Sequence, residues 1–196
     1  PDRKTEGYGV SALGMQRAIE EGVELLITLD CGIKATNTLK IAKDAGINII
    51  VCDHHLPGDE LPPADAILNP KQGDCDYPFK ELCGCGVGFK MLQGLQQKFQ
   101  LEEDVLLSNL DLVAIATSAD IVPMVGENRT LTALGLQWIN NRPGPGIKAI
   151  FDQANKKHEK SVSDLVFTVA PRINAAGRLE HGNMAVALLS KELDTE

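Results

Sequence analysis

Asp53-His54-His55 follows the β-branched run Ile49-Ile50-Val51 at once and leads straight into Leu56-Pro57-Gly58. A carboxylate with two imidazoles at a strand tip is a ligand set for Mn²⁺, Zn²⁺ or Fe²⁺, and a less natural one for Mg²⁺, which prefers oxygen. Adjacent histidines point in different directions, so one ligates a given ion readily and the other can face substrate. The apolar run Leu25-Leu26-Ile27-Thr28-Leu29 ends in the same manner, in Asp30. Taken singly, a strand-end Asp is a turn former or a helix cap, and a His pair is a solvated loop. Two such tips on neighbouring strands make a metal site the better reading. Asp120, between an apolar stretch and Ile121-Val122-Pro123, is a third rigidly held carboxylate, or else an ordinary turn residue. Arg172, Asn174 and Arg178 lie in the small-residue run Ala170 to Arg178, read as a loop. Arginines there give bidentate phosphate contacts, unless the loop is merely solvated.

For the tips to converge, the runs must be neighbouring strands. Ser11 to Glu21 has helical spacing closed by Gly22, and Leu25 to Asp30 is an unbroken apolar run, as in a strand buried on both faces. Thr36 to Asp44 is a second helix closed by Gly46, and Ile47 to Cys52 a second strand. Two strands around one helix within about thirty residues form a βαβ unit with a right-handed crossover. Its ligand edge is the carboxyl edge. Ala66 to Pro70 reads as a further short strand; helices are expected over 84–99, 106–117, 128–140, 146–155, 163–169 and 183–191. The expected fold is α/β, a parallel sheet with flanking helices followed by a mainly helical segment. Residues 1–125 form the core and 126–196 a helical continuation carrying the arginines.

Composition bounds the rest. With 43% hydrophobic residues in 196, the chain can bury a substantial core. No apolar run is long enough for a membrane span and no signal peptide is visible, so a cytoplasmic setting is expected. A first residue Pro1 and an abrupt end at Glu196 suggest a piece of a longer chain. Five cysteines, an odd count, fit reduced thiols, and the single residue between Cys83 and Cys85 is too short a spacing for a zinc knuckle. In Gly84-Cys85-Gly86-Val87-Gly88, Phe89 stands where a dinucleotide fingerprint needs its third glycine, so close helix packing is expected instead. A net charge of −8 argues against nonspecific adhesion to nucleic acid or anionic membrane. It leaves open a nucleic-acid substrate met through a metal or a local basic groove.

The stretches PDRKTEGYG (1–9), TLDCGI (28–33), VCDHHLPG (51–58), ILNPKQ (67–72), LCGCGVGFK (82–90), ATSADIVPMVGENR (116–129) and APRINAAGR (170–178) together resemble the RecJ branch of the DHH phosphoesterase superfamily. They run in family order over nearly the whole chain; DHH alone is a weak signal, and its joint occurrence with NAAGR a specific one. The resemblance implies a single-stranded-DNA-specific 5′→3′ exonuclease of DNA repair and recombination, working by two-metal hydrolysis with Mn²⁺ or Mg²⁺. It implies single-stranded DNA, a single-strand-binding protein and a recombination helicase as partners. By the same resemblance Asp30 bridges two ions, His54 and Asp120 are ligands, His55 contacts the scissile phosphate, and Asp53 supports the histidines from behind. Arg172, Asn174 and Arg178 hold substrate phosphates, with Arg3 a weaker candidate. The family's D-x-D-x-D-G motif belongs upstream of Pro1 and its DHHA1 domain downstream of Glu196, so this stretch by itself is expected to fold yet be nearly inactive. Ala170 replaces the usual Gly. Two rivals stand: a DHH pyrophosphatase or oligonucleotide phosphodiesterase, and a noncatalytic DHH module that binds a repair partner.

Overall fold

The computed structural model describes residues 6–179 and 182–190, the side chains of 177–179 excepted. The chain forms two compact units, Pro1–Leu95 and Gln96–Glu196. The change of composition near residue 125 falls inside the second.

In the first unit, Ser11 opens helix α1 (Ala12–Glu20) by accepting a 2.9 Å hydrogen bond from the Gly14 amide. Gly22, at φ 68°, then turns the chain into strand β1 (Leu25–Leu29). Helix α2 (Thr36–Asp44) leads through Gly46, at φ 88°, to β2 (Asn48–Cys52), and β3 (Ala66–Leu68) follows. All pairing is parallel in the order β1-β2-β3, with Leu29 opposite Cys52 and Cys52 opposite Leu68. The ends of all three strands therefore lie level, which brings Asp30, Asp53 and Asn69 to one edge. Met15 and Ala18 of α1 and Leu39 and Ala42 of α2 pack with Ile49 and Val51 on one face of the sheet. Each fully buried Leu, Ile or Val contributes about 1.5–3 kcal/mol.

On the other face, Leu25, Ile27 and Leu29 remain 49%, 41% and 57% exposed. β1 is thus not buried on both faces, as its unbroken apolar run led us to expect. Helix α3 (Gly84–Phe99) touches the carboxyl end of that face, where Met91 Sδ lies 3.7 Å from Cys52 Sγ. A Cβ on Gly88 would lie 3.3 Å from a Leu29 methyl. The glycine-rich run thus packs a helix closely, as expected.

The second unit is helical: α4 (Asp104–Leu107), α5 (Leu110–Ala119), α6 (Gly126–Asn141), α7 (Pro145–Gln153), α8 (Val162–Asp164), α9 (Ala170–Leu179) and α10 (Gly182–Leu189). The single helix expected over 106–117 is two, interrupted at Ser108-Asn109. Ala114, Ile115, Ile139, Ile147, Phe151, Leu165 and Val169 share its core. Between α8 and α9 a π-helical turn runs from Leu165 to Val169, with the Ala170 amide donating to the Leu165 carbonyl. Pro171 lacks the amide that would pair with Phe167, and its ring needs room there; the wider π turn supplies it. Residues 170–178, expected as a loop, are accordingly helix α9.

Candidate metal centre

Asp30 follows β1 in the left-handed region, at φ 61°, a conformation that costs a non-glycine residue about 1 kcal/mol or more. Three contacts hold it there. Its amide donates to the Cys52 carbonyl at 2.9 Å, and Thr28 Oγ1 donates to the Cys31 carbonyl at 2.8 Å, closing the turn. The third is α3, whose first residue must be glycine: a Cβ on Gly84 would fall 2.2 Å from Asp30 Oδ1. The carboxylate is thereby pressed against a helix N-terminus, where negative charge is favoured.

Asp53 is 1% exposed and organises the loop after β2. Its Oδ2 accepts from the Ile33 amide at 2.9 Å, and its Oδ1 from the amides of His54 at 2.8 Å and His55 at 3.2 Å. Oδ1 also lies 2.7 Å from His55 Nδ1. Burial pushes this carboxyl's pKa up, but the Ile33, His55 and His54 donors outweigh it and leave the pKa below its ordinary value. An ionised carboxylate only accepts, so Nδ1 of His55 donates to Oδ1 and Nε2 is the ring nitrogen left facing outward.

His54, 7% exposed, puts Nε2 3.2 Å from Asp30 Oδ1. That oxygen is buried and no donor is aligned on it. One ligand atom each from Asp30, His54 and His55 lies within 4.8 Å of the others. An acceptor-rich cluster holding a carboxylate oxygen without an aligned donor fits a divalent cation, and its mixed N and O character suits Mn²⁺ better than Mg²⁺. Beside it, burial, then the charges of Asp53 and Asp30, push the pKa of the Cys31 thiol up.

Asp120 is exposed and caps the C-terminus of α5 in the second unit, its amide donating to the Ala116 carbonyl at 2.9 Å. In α9, Arg172 and Asn174 are exposed, and Arg172 Nη1 donates to the Thr168 carbonyl at 2.8 Å. Helical spacing puts Asn174 and Arg178 on one face and Arg172 away from it. The backbone of this segment is spent on helix, so only its side chains are left to bind an anion. The side chain of Arg178, and all of Arg3, lie outside the described residues. Sequence reasoning missed Gly84, which sets α3 against Asp30, and Asn69, whose Nδ2 donates to the His55 carbonyl at 2.8 Å. A glycine at a helix start and an Asn-Pro pair after a strand were the available signals, each with a commonplace structural explanation.

An open parallel sheet that gathers a carboxylate and two imidazoles at its carboxyl edge defines an α/β protein with a candidate divalent-metal centre. Residues 1–117 match the DHH family, N-terminal domain, and the chain belongs to that family. It is 42% identical to the single-stranded-DNA-specific exonuclease RecJ of Escherichia coli over 96% of its own length and 35% of that protein. The identity to RecJ of Bacillus subtilis is also 42%, over 98% of the chain and 24% of the relative. A crystal structure of exonuclease RecJ bound to manganese superposes with a TM-score of 0.82 at 34% identity, covering 98% of this chain and 48% of that one. RecJ of Thermus thermophilus in complex with Mn²⁺ superposes at 0.79, also at 34% identity, over 93% of this chain and 27% of that one. The chain thus spans roughly a quarter to a third of the curated relatives just named. Among the described residues, no helix is long and apolar enough to cross a membrane.

Proposed function

We propose that the chain is part of a metal-dependent exonuclease acting on single-stranded DNA from the 5′ end, in the cytoplasm, in repair and recombination. The observation that carries the reading is the Asp30, His54 and His55 group, with ligand atoms within 4.8 Å of one another, in a DHH-family chain. Identity of 42% to RecJ over 96% of the chain supports the choice of substrate.

Asp30 and His54 would hold Mn²⁺ or Mg²⁺, and Asp120 would add a further carboxylate. A bound divalent ion supplies charge neutralisation and a water made acidic enough to attack at neutral pH. Asp53 keeps His55 Nδ1 protonated and fixes the ring, so that its outer edge faces the scissile phosphate. Arg172, Asn174, Arg178 and Arg3 bind flanking phosphates and set the strand in line. In the reaction, a water oxygen forms a bond to phosphorus and the bond from phosphorus to the 3′ oxygen breaks. That oxygen takes up a proton, releasing a 5′-mononucleotide and leaving a new 5′-phosphate end. Single-strand-binding protein and a recombination helicase are the proposed protein partners.

The test uses the full-length protein, 5′-phosphorylated single-stranded DNA and Mn²⁺. Mononucleotide release that EDTA stops, and that Asp30→Ala or His54→Ala abolishes, is the expected result. Equal release in EDTA, or hydrolysis of pyrophosphate with single-stranded DNA untouched, would overturn the reading.

A further inference from the structure

Asn69 is 3% exposed and follows β3 directly, yet its side chain caps no helix and ends no strand ladder. It bridges two loops instead. Nδ2 donates to the His55 carbonyl at 2.8 Å, and Oδ1 accepts from the Lys71 amide at 2.8 Å. Its own backbone is fixed as well: its carbonyl accepts from the Gln72 amide at 3.3 Å and from Gln72 Nε2 at 3.1 Å. Gln72 Nε2 also donates to the Ile67 carbonyl at 3.3 Å. The turn from Asn69 to Gln72 is therefore tied back onto β3.

The last bond joining the Asp53 loop to the sheet is the Asp53 amide donating to Leu68 O, at 3.0 Å. Beyond it the His55 backbone has left the ladder. His55 is tied to Asp53 through its amide and through Nδ1, but both ties run to one carboxylate oxygen. Neither tie reaches the carbonyl side of the residue. The Asn69 bond acts there, at the carbonyl, and is the second point of attachment.

We propose that Asn69 is a positioning residue for His55, fixing where the outer edge of the half-exposed imidazole points. The primary amide does the two jobs with two separate atoms, Nδ2 donating to the His55 carbonyl and Oδ1 accepting from the Lys71 amide. In Asn69→Asp the acceptor remains, the donor is lost, and a carboxylate faces the carbonyl. The catalytic part of the inference rests on the nuclease reading given above; the part concerning the direction of His55 does not.

The test is Asn69→Asp and Asn69→Ser in the full-length protein, with the kinetics of Mn²⁺-dependent mononucleotide release measured alongside ¹⁵N-histidine NMR. Both variants are expected to lower kcat about 10- to 100-fold, the usual cost of removing a group that orients an active-site residue. KM for DNA should stay within about twofold, and the His55 ring-nitrogen signals should move while those of His158 stay put. Should one variant fail to fold, the other is read in the same way. Unmoved His55 signals in a folded variant overturn the proposal, whatever happens to the rate, and so does an unchanged kcat in an active enzyme. If the unsubstituted protein is inert on single-stranded DNA, the nuclease reading fails, while the His55 signals still decide whether Asn69 sets the ring.

Discussion

At the residue scale, Asp30 and Gly84 show two local preferences overridden for the sake of one carboxylate. Asp30 sits at φ 61°, which glycine would adopt without strain. We therefore expect Asp30→Gly to match or exceed the unsubstituted protein in stability, by up to about 1 kcal/mol in urea unfolding, while abolishing Mn²⁺-dependent activity. A loss of several kcal/mol would show that the carboxylate is part of the framework rather than a ligand. Gly84 tests the same point from the other side. Alanine is the better helix former, but at this first position of α3 its Cβ would meet Asp30 Oδ1 at 2.2 Å. The clash should prevail: Gly84→Ala is expected to weaken Mn²⁺ binding about tenfold or more by titration calorimetry. A more stable variant with undiminished affinity would mean that α3 has no part in placing Asp30.

At the element scale, the close contact of α5 with α6 and the start of α8 are the points most sensitive to change. A Cβ on Gly135 would lie 2.2 Å from the Leu110 carbonyl oxygen and 2.5 Å from Ala114 Cβ. Both obstacles belong to the α5 framework and cannot swing aside, so Gly135→Ala should cost about 2–4 kcal/mol, read as a lower urea midpoint. At α8, Asp164 accepts from the Ser161 amide at 3.0 Å and its hydroxyl at 2.8 Å, with Lys156 at 3.1 Å and His158 at 3.2 Å. Burial raises the pKa of this carboxyl, but the Ser161, Lys156 and His158 contacts more than offset it and hold the pKa well below the carboxylate range. The folded pKa lies below the unfolded one, so this contribution is present in full above the unfolded value, about 4, and fades as pH falls through the folded one. Asp164→Asn should therefore lower stability at pH 7, and the difference from the unsubstituted protein should shrink steadily below about pH 4. A difference that does not change with pH would remove the charge from the explanation.

At the scale of the whole molecule, the net charge of −8 over these 196 residues means that, on the proposed reading, a polyanionic substrate is met here by a few local cations and bound metal. On the proposed reading, replacing Arg172 or Arg178 by Ala in the full-length protein should weaken single-stranded-DNA binding and flatten its salt dependence. Each lost phosphate contact should reduce the slope by about 0.7, measured by fluorescence anisotropy across a salt series. Unaltered slopes would place the DNA elsewhere. On the proposed reading we also expect the chain Pro1–Glu196 alone to be folded but nearly inactive beside the full-length protein, since two ions held close together need more carboxylates than Asp30 and Asp120 provide. Comparable mononucleotide release from both would show this stretch to be sufficient.

By itself the sequence determined the βαβ unit and the tips where Asp30 and Asp53-His54-His55 gather, because periodicity and strand-ending carboxylates are written in consecutive residues. It could not say which side of β1 would be covered, since an apolar run records that a strand needs screening and not what screens it. It misjudged residues 170–178, where Pro171 and small residues read as a loop until a π turn gave the proline room. Only the tertiary structure set Gly84 against Asp30 and Asn69 against His55. Those contacts join segments far apart in the chain, and their distances follow from how helices and loops pack on the sheet rather than from any local pattern.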